Sequence, residues 1–393
     1  MKAALIGNGH LRSYEIGGDW QNESTRLFTR RILPELSDVE PDVTIFLGDI
    51  YYVSSGEADV KEEYVNEFVA SLKTFDLAKN AYILKGNQDK VEVLKRIEEL
   101  GGPKFADEGW IISDDSTFYF FHSRYDNRKA IEDLERIQEQ DFGNLKKYLL
   151  VHENPEVIQW ISKNIYQKYD AVFNGHFHHY SQRKNIFNIG PALPLRPERD
   201  FWDVKLTWPA DKEEPMIEES GPNYGFYLVN TVAAIDSPDF IKFKPVDIRK
   251  KLTIVEIYSD NFSTSEIDVR VRKVHDLLKK IYSPKDTIVR VYLEGNLKKG
   301  EEKRNLNLEE LKELYSDFYE GRRDLFRTDG LVSAGYERLG FRSREEALEE
   351  VEEVHGKEMR RFIEDLIPIL DRATFPRDRA LEILRRNKEY WLK

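Results

Sequence analysis

The feature that most constrains the fold is an alternation of short apolar runs and amphipathic stretches along the first half of the chain. Apolar runs of strand length, separated by segments of helical periodicity, predict β-α-β units. The predicted strands are residues 3–6, 42–47, 81–84, 147–151 and 171–173, with a hairpin at 110–112 and 117–121. The predicted helices between them are residues 24–36, 60–74, 90–100 and 156–163. The first half is therefore expected to be an α/β domain.

The pattern changes after residue 179. Strand-like runs at 186–189, 224–230 and 240–246 are expected to belong to the same domain. A strand, a helix and a strand at 252–258, 270–281 and 287–293 predict a smaller α/β unit, and the chain from residue 307 predicts helices. These patterns predict three parts: a main domain over 1–248, a capping domain over 249–335 and a C-terminal helical segment over 336–393.

Composition excludes several classes of protein. Lys and Arg number 60 against 72 Asp and Glu, a formal net charge of −12, which excludes an overall basic nucleic-acid binder but permits a local basic groove. With no cysteine, any metal must be held by His, Asp, Glu or Asn. The first apolar run is too short for a signal peptide, and no run approaches the ~18 residues of a membrane span. We therefore expect a cytoplasmic protein.

Polar clusters follow five of the strand-like runs. They are Asn8-Gly9-His10, Gly48-Asp49, Gly86-Asn87-Gln88-Asp89, His152 and Gly175-His176-Phe177-His178. Side chains at the carboxyl ends of neighbouring strands converge on one crevice of an α/β sheet. Imidazoles, carboxamides and one carboxylate form a mixed N/O set that suits Mn, Fe, Co or Zn better than calcium.

A site for two ions needs a ligand shared between them, because such ions lie only about 3.5–4 Å apart. Asp49 is the only good candidate for that ligand. His176 and His178 lie two residues apart, so an extended backbone would place them on the same side, whereas a tight turn would send each to a different ion. Both geometries can be used for metal binding.

The order of these clusters resembles that of the calcineurin-like metallophosphoesterases. Their pattern reads Asp-x-His, Gly-Asp, Gly-Asn-His-Asp/Glu, His, Gly-His-x-His, against Asn-x-His, Gly-Asp, Gly-Asn-x-Asp, His, Gly-His-x-His here. Segments 8–12 and 46–51, the chain length and the β-α-β unit with its helical tail are similar to the SbcD type of DNA repair nuclease, called meiotic recombination eleven in eukaryotes. The resemblance implies a two-layered β-sandwich flanked by helices, a smaller α/β cap and a C-terminal helical segment.

The resemblance also implies the ligands of two divalent ions, expected to be Mn²⁺. One ion would be held by Asn8, His10, Asp49 and His178, and the other by Asp49, Asn87, His152 and His176. Gln88 and Asp89 occupy the positions of catalytic residues.

Two residues depart from the family pattern. Asn8 replaces Asp and removes a negative charge, so its metal should bind more weakly. Gln88 replaces the His that contacts the scissile phosphate, and it donates a hydrogen bond but is no proton donor of suitable pKa. Because general acid–base catalysis contributes about 10²–10⁴-fold, activity is expected to be lowered or abolished.

The implied function is a two-metal DNA nuclease, acting as exonuclease or endonuclease in double-strand-break repair. The implied partners are DNA, an SbcC-like ABC-type ATPase with a coiled coil that binds the C-terminal helices, and a second copy of the chain. Candidate phosphate contacts beside the clusters are Arg12, Tyr14, Lys85, Tyr180 and Arg183. Two alternatives stay open: a catalytically disabled homologue that tethers DNA ends or regulates its ATPase, and a phosphoesterase acting on a small substrate. The long cap and tail argue against the latter, because a small substrate does not require them.

Overall fold

The computed structural model describes residues 1–11, 20–51, 62–112, 115–122, 124, 126–137, 141–194, 202–220, 224–320 and 325–332. The predicted helical segment 336–393 lies outside these residues, as do Arg12 and Tyr14. Among the described helices, none combines the length and the apolar character that a bilayer crossing requires.

The strands follow one another along the chain as β1 (Lys2–Ile6), β2 (Val43–Phe46), β3 (Ala81–Ile83), β4 (Lys104–Phe105), β5 (Gly109–Ile112), β6 (Ser116–Phe121), β7 (Lys146–Val151), β8 (Ala171–Asn174), β9 (Ser181–Arg183), β10 (Ile186–Asn188), β11 (Val204–Trp208), β12 (Met216–Glu219), β13 (Gly225–Asn230), β14 (Ile241–Pro245), β15 (Lys251–Phe262), β16 (Thr287–Leu297), β17 (Tyr319–Glu320), β18 (Phe326–Arg327) and β19 (Leu331–Val332). The α-helices are α1 (Trp20–Leu27), α2 (Leu33–Asp38), α3 (Glu62–Thr74), α4 (Val91–Glu99), α5 (Asn127–Glu135), α6 (Pro155–Asn164), α7 (Thr264–Ile281) and α8 (Leu308–Leu314). A π-helical stretch, Phe28–Ile32, joins α1 to α2.

Two six-stranded sheets form the N-terminal part of the molecule. The first has the order β14-β13-β1-β2-β3-β4 and the second the order β5-β6-β7-β8-β10-β9. Strands β1 to β4 run parallel, as do β6, β7, β8 and β10, which agrees with the β-α-β pattern of the sequence. The predicted hairpin is the antiparallel pair β5–β6.

An apolar core fills the space between the two sheets. Alternate residues of β1 and β2 face residues of β6, β7 and β8 across it, and aromatic rings are prominent in it. Phe173 stacks on Phe187 at 5.4 Å between ring centroids, and Tyr148 lies 5.9 Å from Phe173. Helices α1 to α4 cover the outer face of the first sheet, and α5 and α6 cover the second. The main domain is thus a two-layered sandwich flanked by helices.

A third sheet lies in the order β12-β11-β15-β16-β17, with β18 and β19 also pairing with β16. Helices α7 and α8 pack on one of its faces. Its strands β11 and β12 precede residue 249 in the chain, so this sheet draws on residues from both sides of the predicted boundary. Leu252 and Ile288 belong to the same apolar cluster as the helices of the first sheet, which joins the third sheet to the sandwich.

The chain after residue 307 differs from the expected helix. Helix α8 ends at Leu314, and the three two-residue strands β17, β18 and β19 follow and pair with β16. Their pairing hydrogen-bonds an edge of β16 that would otherwise be open, and Leu325 and Leu331 are buried beside it. Helix α7 also begins earlier than predicted, because Ser263 and Glu266 form a capping box at its start.

Candidate metal centre

Five loops carry the polar clusters, and each follows the carboxyl end of a parallel strand. Strands β1, β2 and β3 are neighbours in the first sheet, and β7 and β8 are neighbours in the second. The loops therefore meet at one end of the sandwich, as expected for the carboxyl ends of parallel strands. We call the side chains gathered there the metal centre: Asn8, His10, Asp49, Asn87, His152, His176 and His178.

Asp49 lies at the middle of the metal centre. Its Oδ2 is 3.1 Å from His152 Nε2 and 3.6 Å from His10 Nε2, and its Oδ1 accepts a hydrogen bond of 2.8 Å from the backbone N–H of Gln88. Its own carbonyl accepts the N–H groups of Gly9 and His10 at 3.1 and 2.9 Å. One carboxylate oxygen thus lies between histidines of two different loops.

The backbone that presents Asp49 is strained and closely packed. Asp49 and Gly48 have φ angles of 50° and 90°, in the left-handed region that non-glycine residues rarely adopt. A Cβ atom on Gly48 would lie 2.7 Å from His152 Nδ1, and one on Gly86 would lie 2.1 Å from Asp49 Oδ1. Glycine is therefore required at both positions for the loops to approach each other.

Three side chains gather on the second-sheet side of Asp49. Asn87 Oδ1 lies 3.1 Å from both His152 Nε2 and His176 Nδ1, and these two ring nitrogens are 3.3 Å apart. Ligand atoms of Asp49, His152 and His176 all lie within 4.8 Å of one another. This spacing suits nitrogen and oxygen atoms that share one small cation.

The tautomer of His152 supports a cation at this point. Its Nδ1 donates to the carbonyl of Leu47 at 2.7 Å, so Nε2 of the neutral ring carries only a lone pair. That lone pair faces two acceptor oxygens, Asp49 Oδ2 and Asn87 Oδ1, each at 3.1 Å. A metal ion among these atoms, or a proton on Nε2, would remove the repulsion. The residues present therefore fit a divalent metal.

The other set of predicted ligands includes Asn8, His10 and His178. Asn8 is fully buried, and its Nδ2 donates to the carbonyl of His176 at 3.1 Å. Its Oδ1 is buried and accepts no hydrogen bond from any residue that the structure describes. The rings of His10 and His178 meet edge to face, with centroids 5.6 Å apart. A buried oxygen without a donor, two residues before the imidazole of His10, fits a second cation site.

Burial also sets the charge of the metal centre. It lowers the pKa of His10 to about 3, although Asp49 acts in the opposite direction. Burial, followed by the neighbouring His152, lowers the pKa of His176 to about 4. Burial alone would raise the pKa of Asp49, but His152 and the hydrogen bonds to Asp49 hold that pKa below its usual value. At neutral pH His10 and His176 are thus neutral and Asp49 is ionised, the forms that bind metals. Burial acts to lower the pKa of His152, but the charge and hydrogen bond of Asp49 outweigh it and raise that pKa.

Both carboxylate oxygens of Asp89 accept hydrogen bonds from the backbone of the loops, unlike those of a metal ligand. Its Oδ2 accepts the N–H groups of Asp49 and Gly86 at 2.6 and 3.0 Å, and its Oδ1 accepts those of Ile50 and Tyr51 at 3.0 and 3.4 Å. Burial, with the charge of Asp49, raises the pKa of Asp89 to about 6. The geometry makes Asp89 a positioning residue that fastens the Asp49 loop to the Gly86 loop, while its predicted catalytic role stays a prediction.

Asn174 is a residue of the site that sequence reasoning missed. It is fully buried at the end of β8, and its Oδ1 accepts the N–H groups of Glu153 and His176 at 2.9 and 3.4 Å. Its Nδ2 donates to the carbonyl of Glu153 at 3.0 Å and to Asn188 Oδ1 at 3.1 Å. One side chain thus ties the loop after His152 to the loop of His176. The available signal was a polar residue that ends an apolar strand directly before the histidine motif.

The remaining predicted contacts lie around the metal centre. Gln88 is half-buried, and its backbone N–H donates a hydrogen bond to Asp49 Oδ1. Lys85 Nζ donates to the carbonyl of Gly86 at 3.0 Å. Tyr180 and Arg183 are exposed, in the loop after His178 and on β9. The structure thus brings the seven predicted ligands together and places these four residues at or beyond their edge.

Comparison with known proteins agrees with this geometry. Residues 8–188 match the family model of the calcineurin-like phosphoesterases, a family that uses divalent metals. The matched range begins at Asn8 and ends with β10, and it contains all five loops of the metal centre. A search of curated proteins found no significant match. Residues 8–188 therefore match a calcineurin-like phosphoesterase domain, and that family implies metal-dependent hydrolysis of phosphoesters.

Proposed function

We propose that the protein is a two-metal-dependent DNA nuclease of the SbcD type, which hydrolyses phosphodiester bonds in double-strand-break repair. The observation that carries the two-metal part is the position of Asp49 Oδ2, 3.1 Å from His152 Nε2 and 3.6 Å from His10 Nε2. A carboxylate shared between two sets of ligands is what a pair of closely spaced ions requires. Divalent ions held by Asp49 and the surrounding histidines would supply Lewis acidity toward the phosphodiester and would lower the pKa of the attacking water.

The side chains of this chain divide the remaining work. The neutral imidazoles and ionised Asp49 hold the cations, and the hydrogen bonds of Asp89 and Asn174 keep the loops in register. Gln88 can orient a phosphate oxygen through its carboxamide N–H groups. Because a carboxamide holds no exchangeable proton of suitable pKa, the leaving oxygen must take its proton from solvent. We therefore expect slow cleavage.

The substrate and partners in this proposal come from the pattern of the whole chain. The third sheet with its helices α7 and α8 would shape the access of DNA to the metal centre. The C-terminal segment 336–393 would bind an ABC-type ATPase with a coiled coil, and the chain would form a homodimer. The support is the resemblance of the motifs and chain length to the SbcD type.

A second candidate function rests on two specific residues. Asn8 and Gln88 weaken a metal site and remove an acid at the same time, which favours a disabled homologue that tethers DNA ends or regulates its ATPase. A third candidate, a phosphoesterase of small substrates, differs from both in needing no DNA.

The deciding experiment compares substrates on one protein. With Mn²⁺ present, kcat/KM is measured for linear DNA and for bis(p-nitrophenyl) phosphate, with the natural chain and with the variant that combines Asn8→Asp and Gln88→His. We expect the variant to cut DNA and the natural chain to bind it. Cleavage of the small diester alone, without binding or cleavage of DNA, would favour the small-substrate enzyme. Binding of DNA by both proteins and cleavage by neither would favour the tether.

A further inference from the structure

Tyr180 follows His178, a predicted ligand of the metal centre, by two residues. Its position is fixed by the chain segment that packs on Asn8. A Cβ atom on Gly190 would lie 3.3 Å from Tyr180 N, and Ala192 N donates to the carbonyl of Asn8 at 3.1 Å. The backbone of Tyr180 is therefore anchored to the same segment that supports a predicted metal ligand.

The ring of Tyr180 is held on one face and open elsewhere. It stacks on Tyr227, with centroids 5.1 Å apart and planes 16° from parallel, and its hydroxyl donates to Gln182 Oε1 at 3.4 Å. Tyr227 is buried, its hydroxyl is hydrogen-bonded to the backbone of Gly190, and its ring packs against Phe243 at 4.9 Å. Tyr180 is nevertheless 42% exposed. An immobilised aromatic ring thus presents surface to solvent beside the metal centre.

A flat aromatic ring in this position can stack on a second ring, which an aliphatic side chain cannot do. A leucine would also cover Tyr227, but only an aromatic ring has a second face on which another ring can stack. Sequence-tolerant binding of single-stranded nucleic acid relies on such faces, because every base has a π-surface. The ring is also pre-positioned, so little rotamer entropy remains to be lost on binding.

A basic side chain also follows this ring in the chain, in an otherwise acidic protein. Arg183 is exposed on β9, three residues after Tyr180. Phosphate contacts from basic groups, combined with aromatic stacking, are the usual components of a site for single strands.

We infer that Tyr180 is a stacking platform for a base of single-stranded nucleic acid, next to the phosphate that lies at the metal centre. This inference rests on the proposed nuclease function and names the form of substrate, a single strand or frayed end. It assigns Tyr180 a contact with a base, whereas the sequence suggested a contact with phosphate.

The test uses the full chain, Mn²⁺ and fluorescein-labelled, phosphorothioate-linked single strands that resist hydrolysis. One strand is oligothymidine and the other has the same length but no bases. Tyr180→Leu removes the ring but keeps an apolar cover on Tyr227, Tyr180→Phe keeps the ring, and Tyr166→Leu is the control in the outer helical layer. By fluorescence anisotropy, Tyr180→Leu should weaken binding of oligothymidine about tenfold, while Tyr180→Phe and Tyr166→Leu retain it.

The strand without bases separates stacking from phosphate contact. Its affinity should be the same for the natural chain and for Tyr180→Leu, because it offers no ring to stack. Equal losses on both strands, an unchanged affinity of Tyr180→Leu for oligothymidine, or no binding by the natural chain would overturn the inference. Hydrolysis is measured separately with bis(p-nitrophenyl) phosphate and the Asn8→Asp, Gln88→His variant, so failure of the proposed chemistry is distinguished from failure of the platform.

Discussion

Asp49 and Asp89 are buried carboxylates of adjacent loops, and their surroundings give them opposite tasks. Asp49 faces two histidines, which keep its pKa low, and it stays ionised as a ligand. Asp89 accepts four backbone N–H groups, yet burial and the charge of Asp49 raise its pKa to about 6. The surroundings of each carboxylate, rather than its residue type, thus suit Asp49 to metal binding and Asp89 to positioning of the loops.

Replacement of Asp49 tests the shared ligand. Asp49→Ala should abolish binding of both ions, because the same oxygen lies between the two sets of ligands. Isothermal titration calorimetry with Mn²⁺ measures the number of sites, and Asp107→Ala, at a side chain that is 86% exposed, serves as the control. One site retained at full affinity in Asp49→Ala would show that Asp49 serves a single ion.

The carboxamide of Asn8 predicts that the two metal sites differ in their affinity for Mn²⁺. Its carboxamide oxygen is neutral, whereas the other ion has the full family set of ligands, so the Asn8 site should bind Mn²⁺ more weakly. Asn8→Asp should strengthen that site and leave the other nearly unchanged. Calorimetry or anomalous scattering at low Mn²⁺ measures the two occupancies, and equal occupancy in the natural chain would contradict the prediction.

The third residue-scale prediction concerns the rate of cleavage. With Mn²⁺, cleavage of linear DNA should be undetectable or slow, and Asn8→Asp with Gln88→His should raise it by roughly 10²-fold or more. The imidazole restores a proton donor on the leaving-group side, and binding of DNA should be similar in both proteins. Brisk cleavage by the natural chain with no effect of the double substitution would mean that Gln88 lies away from the reacting phosphate.

At the scale of elements, parallel strands were the most predictable part of the fold. β2 is buried on both faces, so its residues form an apolar run, interrupted only by Thr44, that ends at Gly48-Asp49. β12 is exposed at all four residues and carries no such pattern, and its place depends on pairing with β11. The two-residue strands β17, β18 and β19 likewise depend on β16.

The metal centre was predictable for the same reason, but its supports were not. The ligands follow strand ends, which the sequence marks. Asp89 and Asn174 act through hydrogen bonds to loops 40 and 21 residues away, and only the folded chain brings those groups within reach.

Asn174 gives a prediction at this scale. Asn174→Ala would leave the N–H and carbonyl of Glu153 without their side-chain partner, and we expect a loss of about 2 to 3 kcal/mol in the free energy of unfolding. The affinity of the His152–His176 site for Mn²⁺ should also fall. Urea unfolding and calorimetry measure the two effects, with Asn164→Ala on the surface of α6 as the control. Unchanged metal affinity would limit Asn174 to a structural role.

At the scale of the whole molecule, the described residues up to Val332 contain the apolar clusters of both sheets of the sandwich and of the third sheet. All seven residues of the metal centre belong to loops of the two-sheet sandwich.

Truncation tests this division. Deletion of the chain from about residue 336 should remove binding of the ATPase, because the apolar stripe of the segment runs from Val351 to Leu370. The folded domain and its Mn²⁺ sites should remain, as measured by circular dichroism and calorimetry. If the shortened protein is unfolded, or binds the ATPase with unchanged affinity, the segment is structural instead.

The contribution of β11 and β12 to the third sheet has a mechanical consequence. The chain enters this sheet between β10 and β11, leaves it between β12 and β13, and enters it again between β14 and β15. A unit joined to its neighbour by one linker can rotate about every axis. Three covalent connections, together with the packing of Leu252 and Ile288 in the apolar cluster of the first sheet's helices, leave few directions of rotation. Any rotation of the third sheet relative to the sandwich must therefore be a restricted hinge motion that involves all three connections together.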